Sequence, residues 1–200
     1  MTLDEVIRAR TGDIIARSAS FIVRFGIRAN TLTTISLIFA FLSGLSLYAE
    51  MLGVGLVFLV LSGLFDALDG AIARHMQCES KKGDFLDHVV DRYADIFILC
   101  GIILGGHTPP WIGVVAITGV LLTSYMGTQA QAVMFERLYK GIMGRSDRLV
   151  VIIIGILLNG IYPHPVMGMY ILGWTIGIIG IASHITAIQR FYIVWKTLED

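Results

Sequence analysis

Polar and apolar positions interleave at helical spacing at the start of the chain and then separate into long blocks. Over residues 1–28, Ile7, Ile14, Ile15, Phe21, Ile22 and Phe25 alternate with Arg8, Arg10, Arg17 and Arg24. That pattern predicts an amphipathic helix lying in the membrane interface, its basic face toward anionic headgroups. Apolar stretches approaching the ~20 residues that cross a bilayer then recur at about 32–48, 52–73, 84–104, 110–133, 149–158 and 166–188. Asn30 and Thr31 stand before the first as helix caps, and Pro109 and Pro110 mark the start of the fourth. The expected fold is all-α and integral to the membrane: six transmembrane helices preceded by an N-terminal amphipathic interfacial helix. Residues 1–28 form the juxtamembrane segment, and residues 29–200 form one membrane domain.

Composition agrees. A hydrophobic content of 56% and a mean hydropathy of +0.77 exceed what a soluble chain of this length can hide from water. Residues 1–28 are too charged and interrupted for a cleavable signal, so the first span is expected to act as its own insertion signal. Cys78 and Cys100 suggest neither a disulfide framework nor a metal knuckle. Net charge is zero, but its distribution is one-sided. All fifteen Lys and Arg residues fall in the first, third, fifth and last connecting segments or at span ends beside them, and none in the turns around Glu50, 105–109 and 159–165. The positive-inside rule then predicts both termini in the cytoplasm, here beneath the plasma membrane. A lipid bilayer is the expected partner, and no nucleic acid is.

Carboxylates at membrane depth cost roughly 3 kcal/mol on insertion scales and usually mark function. Here they cluster. Asp66 and Asp69 lie near the end of the second span, and Asp87, Asp91 and Asp95 near the start of the third. Spacings of three and four put Asp66 with Asp69, and Asp87 with Asp91, on single helix faces. A hairpin through residues 75–83 brings both pairs to one depth. Four facing carboxylates repel unless cations separate them, and an all-oxygen set suits hard divalent ions such as Mg²⁺, Mn²⁺ or Ca²⁺. A two-metal carboxylate site is a natural clamp for phosphoryl chemistry. Pairing with Arg74 and Arg92 explains one or two of these acids but not four. A cation- or proton-coupled transporter is the competing class, although transport sites favour the midplane rather than one end of a hairpin.

The segment Asp66-Ala-Leu-Asp69-Gly70-Ala-Ile-Ala73-Arg74, then eight residues to Gly83, three to Asp87 and three to Asp91, resembles the motif of the CDP-alcohol phosphatidyltransferases. The resemblance covers all eight defining positions and implies a mechanism. Asp66, Asp69 and Asp87 would hold two divalent ions, Mg²⁺ or Mn²⁺, and the CDP diphosphate. Asp91 would share a metal and act as the general base on an acceptor hydroxyl. Gly70, Ala73, Arg74 and Gly83 would line the cytidine and diphosphate pocket, with Ser80 beside them. Ala29-Asn30-Thr31-Leu32-Thr33 is similar to a Pro-Asn-x-Leu-Thr element of the family near the nucleotide, with alanine in place of proline, so Asn30 and Thr33 join the CDP-lipid site. The donor would be CDP-diacylglycerol or CDP-archaeol, and the family usually forms homodimers. Gly173, Gly177 and Gly180 permit either such a contact or internal packing.

Arg145 and Arg148 open the fifth span and Arg190 closes the sixth. Converging arginines suit a small polar alcohol that carries a phosphate. Asp91-Arg92-x-Ala94-Asp95, Ser124-Tyr125, Arg145-x-x-Arg148 and Gln189-Arg190 look like the family branch that makes phosphatidylinositol phosphate from inositol 1-phosphate. Where that branch commonly has Lys and Arg after the Ser-Tyr pair, this chain has Gly127 and Gln129. The acceptor site is therefore expected to comprise Ser124, Gln129, Arg145, Arg148 and Arg190. Glycerol 3-phosphate is the alternative acceptor, with serine or free inositol behind it.

Overall fold

The computed structural model describes residues 28–75, 80–134 and 138–198. They form six helices: α1 (Ala29–Tyr48), α2 (Leu52–His75), α3 (Lys81–Leu104), α4 (Pro110–Met134), α5 (Arg145–Ile161) and α6 (Ile171–Thr197). The amphipathic helix expected over residues 1–28 lies outside the described residues, Arg28 excepted.

The expectation of six transmembrane helices is overturned. Among the described residues four helices are long and apolar enough to cross a membrane: Ala29–Tyr48, Leu52–Arg74, Pro110–Val133 and Ile171–Thr197. α3 has the length, but Asp87, Asp91, Arg92 and Asp95 occupy even its most apolar stretch. α5 has 17 residues, a rise of about 25 Å at ~1.5 Å per residue, short of a ~30 Å hydrocarbon core. It also begins with Arg145, Asp147 and Arg148. Hydropathic blocks counted these two helices as spans because they average charged and apolar residues together: α5 carries its charges in its first turn, and α3 carries them from Lys81 to Asp95. The last helix also starts later than expected. Val166 and Met169 pair across a tight turn, with Met167 and Gly168 both at positive φ, 51° and 81°, so helix cannot begin at residue 166.

The chain divides into two compact units, Met1–Gly101 and Ile102–Asp200. In the first, α1 and α2 are joined by a three-residue turn in which Glu50 takes φ 60°. The two helices run side by side, cross-linked by hydroxyls. Ser43 donates to the Gly55 carbonyl at 2.8 Å and Ser62 to the Ser36 carbonyl at 2.9 Å. In a lipid surround such bonds and close packing, rather than water exclusion, hold helices together. Leu32, Leu68, Ala71 and Ile72 form a buried cluster, which fixes the end of α2 that carries the acids. Gly44 and Gly101 let α1 and α3 meet backbone to backbone, since a Cβ on either would overlap the other helix's main chain. Replacing Gly101 with leucine is expected to cost about 1–3 kcal/mol of stability by overpacking. Thermal unfolding in detergent checks this, and an unchanged midpoint refutes the contact.

In the second unit α6 packs along α4 and against α5. Thr123 donates to the Ser183 carbonyl at 2.7 Å, and the His184 ring lies 3.2 Å from the Val115 carbonyl. The Asn159 side chain on α5 accepts the Leu172 N–H at 3.2 Å, satisfying an orphan donor in the first turn of α6. Gly173 and Gly180 pack within the chain: a Cβ on them would press on Met169 and on the Ala116 backbone, respectively.

Candidate functional site

The aspartates converge as their spacing requires. Asp66 and Asp69 share a face of α2, and with Asp87 of α3 they offer carboxylate oxygens that all lie within 4.8 Å of one another. Asp87, His88 and Asp91 form a second such trio at the same limit. Asp87 is common to both, so the two trios adjoin.

This constellation fits divalent cations. The donors are mainly oxygens, at spacings that an ion can bridge. Asp69 is 5% exposed, and its Oδ2 is buried with no hydrogen-bond partner among the described residues. A buried carboxylate oxygen left in that state is costly unless a ligand completes it.

The surrounding residues of the first unit approach the same place. The Thr33 hydroxyl is a hydrogen-bond partner of the Asp69 carboxylate and lies 3.2 Å from the Ala29 carbonyl oxygen. Ser80 caps α3: its Oγ accepts the Gly83 N–H at 3.0 Å, and its carbonyl accepts the Asp84 N–H at 2.9 Å. A Cβ on Gly83 would lie 3.2 Å from that Oγ and 3.4 Å from the Asn30 side-chain oxygen. Glycine there lets the start of α1 meet the start of α3. The Arg74 guanidinium folds over Gly70, where a Cβ would lie 3.3 Å from Nη1, and Ala73 is half-buried beside it. Arg92 stands 3.6 Å from both Asp91 and Asp95, so Asp95 is an ion-pair partner outside both trios.

His88 was missed by the sequence reading. Its ring lies 3.3 Å from Asp84 and 3.7 Å from Asp87. The signal was available, because Asp84, His88, Asp91 and Asp95 form an i, i+4, i+7, i+11 stripe.

In the second unit Arg145 and Arg148 share the first turn of α5; Arg148 is 3% exposed. Ser124 is half-buried on α4, and Gln129 donates to the Tyr125 hydroxyl at 2.6 Å. Arg190 is buried, and each of its three guanidinium nitrogens donates to a main-chain carbonyl.

Comparison with known proteins bears directly on this arrangement. The CDP-alcohol phosphatidyltransferase family matches residues 27–189. The chain belongs to this family. It is a membrane transferase of phospholipid biosynthesis, and the transporter reading falls away. This phosphatidyltransferase is 32% identical over 193 residues to an archaetidylinositol phosphate synthase of Pyrococcus horikoshii, covering 96% of this chain and 97% of the relative. A phosphatidylinositol phosphate synthase of Mycobacterium tuberculosis, solved with CDP-DAG bound, matches with a TM-score of 0.79 at 24% identity, over 92% of this chain and 94% of that one. The same protein in complex with manganese and citrate gives a TM-score of 0.78 at 24% identity, over 90% and 88%. At such identity these two structures speak for the fold of this phosphatidyltransferase.

Proposed function

We propose that this enzyme transfers a diacylglycerol- or archaeol-phosphate group from a CDP-lipid to inositol 1-phosphate, releasing CMP. The reading rests on the two adjoining trios, Asp66–Asp69–Asp87 and Asp87–His88–Asp91, together with full-length similarity to an archaetidylinositol phosphate synthase. Asp66, Asp69, Asp87 and Asp91 would hold two divalent ions, Mg²⁺ or Mn²⁺, which when bound supply charge neutralisation for diphosphate oxygens. The manganese complex of the mycobacterial structure supports that choice.

The remaining roles belong to the chain's own residues. Asn30, Thr33, Gly70, Ala73, Arg74, Ser80 and Gly83 bind the CDP end of the donor, Gly70 and Gly83 by leaving room for close approach. Asp91 accepts the proton of the acceptor hydroxyl. The acceptor oxygen bonds to the lipid-side β-phosphorus as the P–O–P anhydride bond breaks, and the electron pair leaves with CMP. Arg145, Arg148 and Arg190, with Ser124 and Gln129, grip the acceptor and its phosphate. Residues 29–200 work as one catalytic domain, with the Lys- and Arg-bearing face in the cytoplasm and the protein in the plasma membrane as a homodimer. Light scattering of the detergent complex tests the last point; a fully active monomer removes it.

An acceptor panel run with CDP-diacylglycerol and CDP-archaeol tests the central reading. Inositol 1-phosphate is expected to give a phosphorylated inositol lipid and stoichiometric CMP. Faster turnover of glycerol 3-phosphate, serine or free inositol overturns the assignment of the acceptor while leaving the donor chemistry in place.

A further inference from the structure

Between Arg148 and Arg190 the chain carries no Asp, Glu, Lys or Arg. At the middle of that stretch, between α5 and α6, residues 161–168 are all exposed. Ile161 is 79% exposed and Met167 88%, with Tyr162 and Val166 beside them. A turn that stands in water ordinarily carries charge or small polar groups, and an apolar patch of this kind requires a cover.

Hydrogen bonds fix the shape of the turn. Val166 and Met169 exchange both main-chain bonds, at 2.9 and 3.2 Å, across Met167 and Gly168 at positive φ. The Trp174 indole N–H donates to the Val166 carbonyl at 3.0 Å, which ties the turn to the start of α6. Met169 packs inward, where a Cβ on Gly173 would strike it, whereas Met167 stands out at the tip. The Tyr162 and His164 rings meet edge to face at 5.4 Å.

Helix lengths say where the turn lies. α5 rises about 25 Å from Arg145 to Ile161, and α6 about 28 Å from Ile171 to Arg190. With the arginines at one edge of a ~30 Å hydrocarbon core, both arms end just inside the other edge. Irregular backbone cannot sit deep in hydrocarbon with its polar groups unsatisfied. Pro163 and Pro165 bring no N–H, and the pairing of Val166 with Met169 satisfies two more donors. The groups that remain, with the Tyr162 and Tyr170 hydroxyls, suit the headgroup layer, where Trp and Tyr concentrate. Apolar bulk without charge fits lipid.

We infer that the turn 162–170 is a lipid anchor. Ile161 and Met167 dip into the boundary between headgroups and acyl chains, on the side opposite the arginines. Tyr162, Tyr170 and Trp174 lie in the headgroup layer, and α5 and α6 are pinned at that depth. The anchor thereby holds Arg145 and Arg190 at the other boundary, whatever acceptor they meet.

The test uses full-length enzyme in nanodiscs of phosphatidylcholine and phosphatidylglycerol, both faces open to solvent. Cys78 and Cys100 are replaced by alanine, and a nitroxide is attached at Met167→Cys or Ile161→Cys. Both side chains are mostly exposed, so a label at either leaves the packing intact. Oxygen, which concentrates in lipid, is expected to relax both labels more than a water-soluble nickel chelate does. The reverse order at position 167 overturns the proposal, because the turn then stands in water. So does protection from both relaxants, which marks cover by protein such as a second copy of the chain. Met167→Asp, with the label at 161, is expected to raise chelate access there several-fold, since a carboxylate draws the tip out of the lipid. Unchanged access at 161 also overturns the anchor, because α5 and α6 would then keep their depth without the tip.

Discussion

Asp91→Asn is expected to reduce CMP release by about 10²–10⁴-fold, the range that a positioned general base contributes, while CDP-lipid binding survives. The asymmetry follows from the two trios. Asp66, Asp69 and Asp87 form one group without Asp91, whereas Asp91 is grouped with Asp87 and His88 at its edge. The side chain is buried, at 8% exposure, and asparagine matches its size, so packing is preserved. What disappears is the charge and the ability to take a proton. Steady-state CMP release and calorimetric CDP-lipid binding on the same preparation separate the alternatives. Turnover at the wild-type rate removes Asp91 as the base. Loss of donor binding together with turnover places it instead among the residues that hold the diphosphate.

Arg92 bears on the same carboxylate. It stands between Asp91 and Asp95, 3.6 Å from each, and so holds the Asp91 carboxylate in place by an ion pair. Arg92→Leu is expected to lower kcat more than it raises either KM. Equal changes in all three constants would mean that the pair serves folding alone.

The acidic site was legible because its information is local. Asp66, Asp69, Asp87 and Asp91 are placed by helical spacing on two neighbouring helices, and nothing distant in the chain is needed to group them. His88 shows the limit of reading by residue type: a stripe of spacing contained it, but attention to carboxylates passed over it. Arg190 shows a different limit. Its guanidinium donates to carbonyls of residues 123, 139 and 140, about 50 to 67 positions away, and backbone acceptors have no signature in a sequence. The number of spans failed for a third reason. Hydropathy averages a segment, whereas crossing a membrane depends on where the charges sit within it: α5 carries Arg145, Asp147 and Arg148 in its first turn, and α3 carries charges from Lys81 through Asp95. Those charges include Asp87, Asp91, Arg145 and Arg148, so the feature that defeats the count belongs to the same design as the chemistry.

Asp69→Asn is expected to abolish turnover and, in the absence of metal, to stabilise the protein. Three carboxylates whose oxygens lie within 4.8 Å of one another repel, when ionised, by about 3 kcal/mol or more per pair at an effective dielectric of ~20. Asp69 is the most deeply buried of them at 5% exposure, and its Oδ2 has no hydrogen-bond partner among the described residues. Asparagine removes one charge from the group and retains an oxygen for the Thr33 hydroxyl, so the metal-free variant should unfold at a higher temperature than wild type in EDTA. Divalent metal reverses the order. Wild type gains the full binding energy of the ions by mass action, while the variant, short of one anionic ligand, gains much less. Thermal unfolding of both proteins with EDTA and with saturating Mg²⁺ or Mn²⁺ reads this directly. A ranking that is the same in both conditions would mean that the aspartates are held by the protein for its own packing, and the metal assignment would fall with it. A crossing of the two curves, with turnover lost in the variant at every metal concentration, marks stability given up at Asp69 in exchange for a site that takes its final ligands only when the ions arrive.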